Sequence, residues 1–384
     1  MVNRFILNEV SYFGPGARKE LPEIIARLGY KKALVVTDKG LMKFGVANMV
    51  TDVMDEAKIP YEIYDEVKPN PTVTDVKNGV KACKAADADF IVAIGGGSSM
   101  DTAKGIGIIV NNPDFSDVIS LEGVADTKNK CVPIIALPTT AGTAAETTIN
   151  YVIIDEDKHK KMVCVDPNDI PAVAIIDAEL MYSLPKDLTA STGMDAMTHA
   201  IEGLITKSAW ELSDMFEIKA IEMIHKYLPI AVNEPTNPVG RDGMAVAQYV
   251  AGMAFSNVGL GVDHGMAHPM SALHDIPHGV ACAILLPTIM RFNVPAALDK
   301  YMDIAKAIGV YKDGMTKEEA ANVACTEIEN LSKLVGIPQH LADLGIHEED
   351  IPALAEQAIN DVCTPGNPRD VTKDDIIALY YKIL

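Results

Sequence analysis

Between residues 32 and 137, apolar runs of strand length alternate with longer stretches of helical spacing. The runs are 32–37 (KALVVT), 61–64, 90–94 (FIVAI) and 132–137 (VPIIAL). Helical patterns occupy 41–57, 73–86 behind the turn Pro69-Asn70-Pro71, and 100–110. A strand that is apolar at nearly every position is covered on both faces, and alternation with helices implies a parallel, doubly wound sheet. Further β-rich segments follow at 148–154, 162–165 and 173–176.

After Leu184 the strand-like runs nearly disappear. Segments 188–205, 213–228, 244–255, 280–293, 317–335 and 351–360 carry helical apolar spacing. Asn233–Asp242 (NEPTNPVGRD) reads as a surface loop between helices. A chain of 384 residues has room for two domains. The expected organisation is residues 1–185 as an α/β, Rossmann-like domain and 186–384 as an all-helical domain, with Pro185 at the boundary.

With 33 Lys and Arg against 53 Asp and Glu, the formal net charge is −20, which repels phosphate backbones and anionic lipid. No nucleic-acid or membrane partner is therefore expected. No stretch reads as long and apolar enough to span a bilayer, and the N-terminus lacks a signal-peptide pattern. Cys83, Cys131, Cys164, Cys282, Cys325 and Cys363 form no C-x-x-C pair. Scattered cysteines in a chain with an ample core point to reduced thiols, a cytoplasmic location and no zinc–thiolate centre.

Two segments carry a nucleotide signal. The strand at 90–94 runs straight into Gly95-Gly96-Gly97-Ser98-Ser99 and then a helix. Glycines there let backbone approach a phosphate, and the helix N-terminus favours its charge. The strand at 132–137 ends in Pro138-Thr139-Thr140-Ala141-Gly142-Thr143, whose hydroxyls suit a ligand at the C-terminal sheet edge. Asp38 follows the strand at 32–37, where a carboxylate can accept an adenosine ribose 2′-OH and repel a 2′-phosphate. It precedes the glycine turn, so the order differs from the G-x-G-x-x-G fingerprint.

The helical half carries a metal signal. Asp195 and His199 stand four apart and share one helix face. His264 and His268 repeat that spacing, followed by His274 and His278. Five of the nine histidines thus fall at these positions. One carboxylate with two or three imidazoles suits Fe, Zn, Mn or Co.

GGGSSMD, PTTAGT, the GMDAMTHAIE of 193–202 and the H-x3-H-x9-H of His264, His268 and His278 together resemble the iron-dependent (group III) alcohol dehydrogenases, over essentially the whole chain. The resemblance implies an architecture like that of dehydroquinate synthase, with the active site in the cleft between the two domains. It implies Asp195, His199, His264 and His278 as ligands of a divalent iron, with zinc as an alternative occupant on isolation, and His268 as a proton relay. NAD would contact Asp38, Asn70, Gly96, Gly97, Ser98, Thr139, Thr140, Thr143, Val152, Lys161 and Leu180. Asn150, Phe255, Leu260 and Cys363 would line the substrate pocket, and the protein would be a homodimer.

Matching stretches at 148–153, 163–167 and 361–364 extend the resemblance to members acting on short hydroxyaldehydes. They imply interconversion of lactaldehyde and 1,2-propanediol, with 1,3-propanediol, ethanol or butanol as alternatives. A lyase of the dehydroquinate synthase type is the reading from another class, and the uncharged pocket positions speak against it. Asp263 stands where the family has an apolar residue. It would either orient His264 or His268 or face solvent. His274 replaces an aromatic residue and would either enter the pocket or compete as a ligand.

Overall fold

A computed structural model describes residues 2–384. The chain forms two compact units. One runs to Thr140 and resumes at Ala144–Ser183; the other takes Ala141–Thr143 and Leu184–Leu384.

The first unit has nine strands: β1 (Val10–Phe13), β2 (Ala33–Val36), β3 (Tyr61–Tyr64), β4 (Phe90–Gly95), β5 (Gly123–Val124), β6 (Ile134–Pro138), β7 (Asn150–Asp155), β8 (Lys160–Val165) and β9 (Val173–Ile176). Its helices are α1 (Leu21–Leu28), α2 (Lys39–Lys43), α3 (Asn48–Glu56), α4 (Val73–Ala86) and α5 (Gly97–Asn111). Six strands form one sheet in the order β1-β9-β6-β4-β2-β3, and every pairing in it is parallel. The expected doubly wound sheet is present. Each residue of β2 and β4 is buried, as their unbroken apolar runs require. β3 lies at an edge; Glu62 and Ile63 are exposed there and its pattern is correspondingly mixed.

The chain passes from β2 outward to β3 and then returns across β2 to β4. That reversal opens a crevice at the C-terminal ends of β2 and β4, the usual ligand position in such sheets. The expected helix at 41–57 is two helices, α2 and α3. The break holds Gly45 at φ 77°, a left-handed conformation that apolar spacing does not reveal. β7 and β8 form an antiparallel hairpin, with β5 parallel to β8.

The second unit contains α6 (Lys186–Ile205), α7 (Glu211–Asn233), α8 (Pro238–Val258), α9 (Val262–His274), α10 (His278–Asn293), α11 (Leu298–Ala307), α12 (Lys317–Leu334), α13 (Ile351–Ile359) and α14 (Lys373–Ile383). Segment 233–242 is not one loop. Asn237 caps α8 by accepting from the Val239 N–H at 3.0 Å, and Pro238 opens the helix. Arg241 is buried, donating to Thr189 Oγ1 and to the Pro235 and Leu184 carbonyls.

One helical stretch, His278–Ala296, is long and apolar enough to cross a membrane by length and composition, contrary to the sequence expectation. Its apolar face is occupied instead. Ala281, Cys282, Ile284, Leu285 and Ile289 share one core with Met266 and Met270 of α9, Leu354 of α13 and Tyr380 of α14.

Candidate active site

In the first unit the glycine turn, Asp38 and the Thr139–Thr140 segment gather at neighbouring strand ends. β4 ends at Gly95, at φ 152°, and a Cβ there would lie 2.3 Å from Ser99 Oγ. Gly96 is the N-cap of α5 and packs against Thr140. The Thr139 N–H donates to the Gly95 carbonyl at 2.9 Å, fixing the two loops side by side. Gly97 and Ser98 form the first turn of α5, where backbone N–H groups lack helical partners. Asp38 caps α2, its Oδ1 accepting from the Leu41 N–H at 2.9 Å.

Asn70 is held at φ 54° in the loop before α4. The adjacent Pro71 carbonyl accepts from the Ile154 N–H at 2.8 Å, which ties this loop to the hairpin carrying Val152 and Lys161. Leu180 is buried in the core beside the sheet, with Ile175 and Leu137. Thr143 belongs with the second unit, where Gly142 packs against Thr192 of α6.

Beneath the glycine turn lies a charged cluster that the sequence reading did not single out. Asp101 and Lys104 are one turn apart on α5. Lys104 is fully buried and donates to the Thr148 and Asn150 carbonyls at 2.7 and 2.8 Å and to Thr148 Oγ1 at 2.9 Å. Asn150, an expected pocket residue, is thereby pinned through its backbone. Asp101 accepts from the Val152 N–H at 3.1 Å. Burial pushes the Asp101 carboxyl up to about 6 against the pull of Lys104. Burial lowers Lys104, opposed by Asp169.

In the second unit, α6, α9 and α10 bring the histidines together. Asp195 Oδ1 lies 4.0 Å from His264 Nε2 and 3.8 Å from His278 Nε2. His199 Nδ1 is 4.0 Å from the other Asp195 oxygen, Oδ2, and its ring stacks on His264 at 4.6 Å. Phe255 stacks on the His199 ring at 4.2 Å. Burial pushes His199 down to about 4, despite Asp195 beside it, so its imidazole is neutral at working pH.

The residues fit a cation. Asp195 Oδ1 and His264 Nε2 are buried and make no hydrogen bond among the described residues. His264 Nδ1 is 2.6 Å from Glu202 Oε2. With the Glu202 carboxylate accepting the Nδ1 proton, Nε2 presents its lone pair toward the lone pairs of Asp195. Two buried lone pairs facing one another call for a positive charge between them. A carboxylate behind a ligating histidine is the usual means of fixing its tautomer and ring orientation.

Glu202 closes the 193–202 sequence motif, and no role for it is legible from the sequence pattern alone. Its signal is its place at i+7 from Asp195 and i+3 from His199, on the same face of α6. It also accepts from the Asp263 N–H at 2.7 Å and the His264 N–H at 3.4 Å, docking the start of α9 on α6. Asp263 itself neither faces solvent nor orients a histidine. It is fully buried, its carboxylate oxygens make no hydrogen bond among the described residues, and burial, with Glu202 and Asp195 nearby, raises it well above the usual range.

His268 is set by Asp361, whose Oδ2 is 2.8 Å from Nδ1. Burial would raise the Asp361 carboxyl, but His268 and the Cys363 hydrogen bonds together hold the group below its ordinary value. The Cys363 N–H donates to Asp361 Oδ1 at 2.8 Å, so this pocket residue adjoins the His268 pair. Leu260 is buried just before α9. His274 turns to Asp350, at 3.9 Å, and belongs to no ligand cluster among the described residues. One thiol stands close to the proposed ligands. Cys282 Sγ is 3.7 Å from His278 Nε2, because the two residues stand four apart on α10.

Residues 8–178 match the family described as iron-containing alcohol dehydrogenase, and residues 189–384 match the C-terminal part of the Fe-containing alcohol dehydrogenase family. The chain belongs to the iron-containing alcohol dehydrogenase family, and it is an oxidoreductase interconverting alcohols and aldehydes. It is 56% identical to the lactaldehyde reductase of Escherichia coli (strain K12) over 381 residues, 99% of each chain. It resembles the crystal structure of a 1,3-propanediol oxidoreductase with a TM-score of 0.97 and 41% identity, covering all of both chains. A sulfoacetaldehyde reductase from Bifidobacterium kashiwanohense, in complex with NAD+, superposes with a TM-score of 0.88 at 32% identity, covering 100% of this chain and 99% of the other.

Proposed function

We propose that the chain interconverts lactaldehyde and 1,2-propanediol with NAD, on a divalent iron held by Asp195, His199, His264 and His278. The observation that carries the metal reading is the pair of buried lone pairs on Asp195 Oδ1 and His264 Nε2. The 56% identity with a lactaldehyde reductase over nearly the whole chain supports the substrate. When bound, the ion supplies Lewis-acid stabilisation of charge on the substrate oxygen and the nicotinamide supplies or accepts the hydride.

The residues of this chain do the rest. Gly96, Gly97 and Ser98 offer α5 N-terminal N–H groups to the pyrophosphate. Asp38 Oδ2 accepts a ribose hydroxyl while Oδ1 keeps its cap on α2. Glu202 holds His264 with Nε2 unprotonated. His268, hydrogen-bonded to Asp361, moves the alcohol proton at its Nε2. Phe255, Leu260 and Cys363 give an uncharged lining suited to a small neutral substrate.

The protein is read as a cytoplasmic homodimer. The absence of disulfides among the described cysteines supports a reducing compartment. β1, at the sheet edge with Phe13 exposed, offers backbone groups for a partner strand.

The test is NADH oxidation with lactaldehyde by anaerobically purified protein, before and after chelation and Fe2+ add-back. Turnover lost on chelation and restored by Fe2+ is expected. Turnover indifferent to chelation overturns the metal reading; faster turnover with 1,3-propanediol and its aldehyde overturns the substrate.

A further inference from the structure

We propose that Asn367 and Thr206 are positioning residues for the substrate wall. With Asn293 they hold the backbone corner that carries Leu260, and so set how long an aldehyde the pocket admits. The inference rests on the reading that Leu260 and Cys363 line that pocket.

Leu260 stands in a three-residue corner, Gly259–Gly261, between α8 and α9, where the two helices bend by 102°. Gly259 lies at φ 82° and ψ −176°, a conformation that glycine alone adopts readily. The glycines on either side of Leu260 bring no side chain to pack, so the corner is held from outside. The segment 363–367 does this. A Cβ on Gly366 would overlap the Leu260 carbonyl oxygen, and one on Gly261 would lie 3.0 Å from Asn367 Oδ1. The Val262 N–H donates to that same oxygen at 3.4 Å. Thr206, just past the end of α6, donates from Oγ1 to the Gly366 carbonyl at 2.8 Å. Its Oγ1 is also 3.3 Å from the Leu260 carbonyl oxygen, so one hydroxyl bridges segment and corner.

The segment is itself fixed by an amide pair. Asn293, the last residue of α10, donates from Nδ2 to Asn367 Oδ1 at 2.9 Å, and Asn367 Nδ2 donates back to Asn293 Oδ1 at 2.8 Å. Asn367 Nδ2 also donates to the Arg369 carbonyl at 2.7 Å. Both asparagines are buried. Cys363 begins the same segment, and its carbonyl accepts from the Gly366 N–H at 3.0 Å. Two pocket residues are thus tied to one buried pair. Stability alone does not call for amides there, because an apolar pair of the same shape is nearly as stable. The amides add direction: each hydrogen bond fixes a distance and an angle, whereas hydrocarbon contact is non-directional.

The experiment measures kcat/KM for hexanal relative to lactaldehyde in the wild-type holoenzyme, Thr206→Val, the double variant Asn293→Leu/Asn367→Leu, and Leu260→Ala. Thr206→Val keeps the side-chain shape and removes only the hydroxyl. The double variant removes both members of the amide pair together. The ratio should rise about 10-fold or more in all three, the low end of what one methylene is worth in an apolar pocket. Partial unfolding or partial metal loss lowers both rates alike and leaves the ratio unmoved. Amide hydrogen exchange at 260–262 needs no turnover, and it should quicken in Thr206→Val and in the double variant.

A ratio unmoved in either folded variant, while Leu260→Ala raises it, overturns the proposal and leaves the pocket reading standing. A ratio unmoved in Leu260→Ala overturns both. Exchange at the wild-type rate in Thr206→Val overturns the positioning role whether or not the double variant folds.

Discussion

At the scale of single residues, the site depends on side chains that do not themselves touch the reacting atoms. Glu202 fixes which nitrogen of His264 faces Asp195. Glu202→Gln should therefore weaken metal affinity about 10–100-fold with the fold intact, read by competition with a chelator; unchanged affinity would remove Glu202 from this role. Asp38→Gly should improve use of NADPH, since the carboxylate that repels a 2′-phosphate is gone. Glycine is tolerated as an N-cap, so loss of the Leu41 contact costs only a few tenths of a kcal/mol. Unaltered preference for NADH would place the ribose elsewhere.

Asp101 sets a pH dependence. Its folded-state value of about 6 lies above the 3.8 of an unfolded carboxyl, so the native state holds the proton more tightly. The stability it contributes is complete below pH 3.8 and is lost as pH rises through 6, about 3 kcal/mol at most. Asp101→Asn removes this term. The stability difference between variant and wild type should shift in favour of the variant between pH 4 and pH 7, as measured by denaturant unfolding at both values.

At the scale of elements, the proposed metal ligands come together because three helices approach closely. Gly279 follows His278, and a Cβ there would lie 2.6 Å from the Ser191 carbonyl oxygen of α6. Backbone does not yield as a flexible side chain does, so Gly279→Ala should push the start of α10 away from α6. The expected cost is about 1–3 kcal/mol, together with substoichiometric metal in a folded protein; full metal content in the variant would show that the approach is not critical.

The sequence reveals α6 through its apolar spacing and capable residues at i and i+4. It reveals α9 poorly. His264, Asp263 and His268 interrupt the apolar pattern because that helix buries polar groups against Glu202 and Asp361 rather than against a hydrocarbon surface. Pro269 inside α9 weakens the helical signal further. β1 and α1 are likewise hidden, being short and only partly apolar.

At the scale of the whole molecule, the proposed metal ligands all belong to the second unit, while the glycine turn and Asp38 belong to the first. An ion that binds only the native second unit stabilises it by mass action, by about 2.7 kcal/mol at a hundred times its dissociation constant. For a unit of about 200 residues that is roughly 5–11 °C in melting temperature. Calorimetry with and without chelator should show that shift in the transition of the helical unit. A melting profile blind to saturating metal would mean the site does not form as described.

The sequence by itself determined the parallel sheet, the helical second half, the glycine turn and most of the histidine cluster. Each is written in local spacing: apolar runs of strand length, glycines between strand and helix, donors four apart on one helix face. Only the tertiary structure decided that Glu202 orients His264, that Asp263 is buried without facing solvent, that His274 turns to Asp350, and that Cys282 stands beside His278. Those outcomes depend on which faces of α6, α9 and α10 meet, and distances between side chains on different helices leave no periodic trace along the chain.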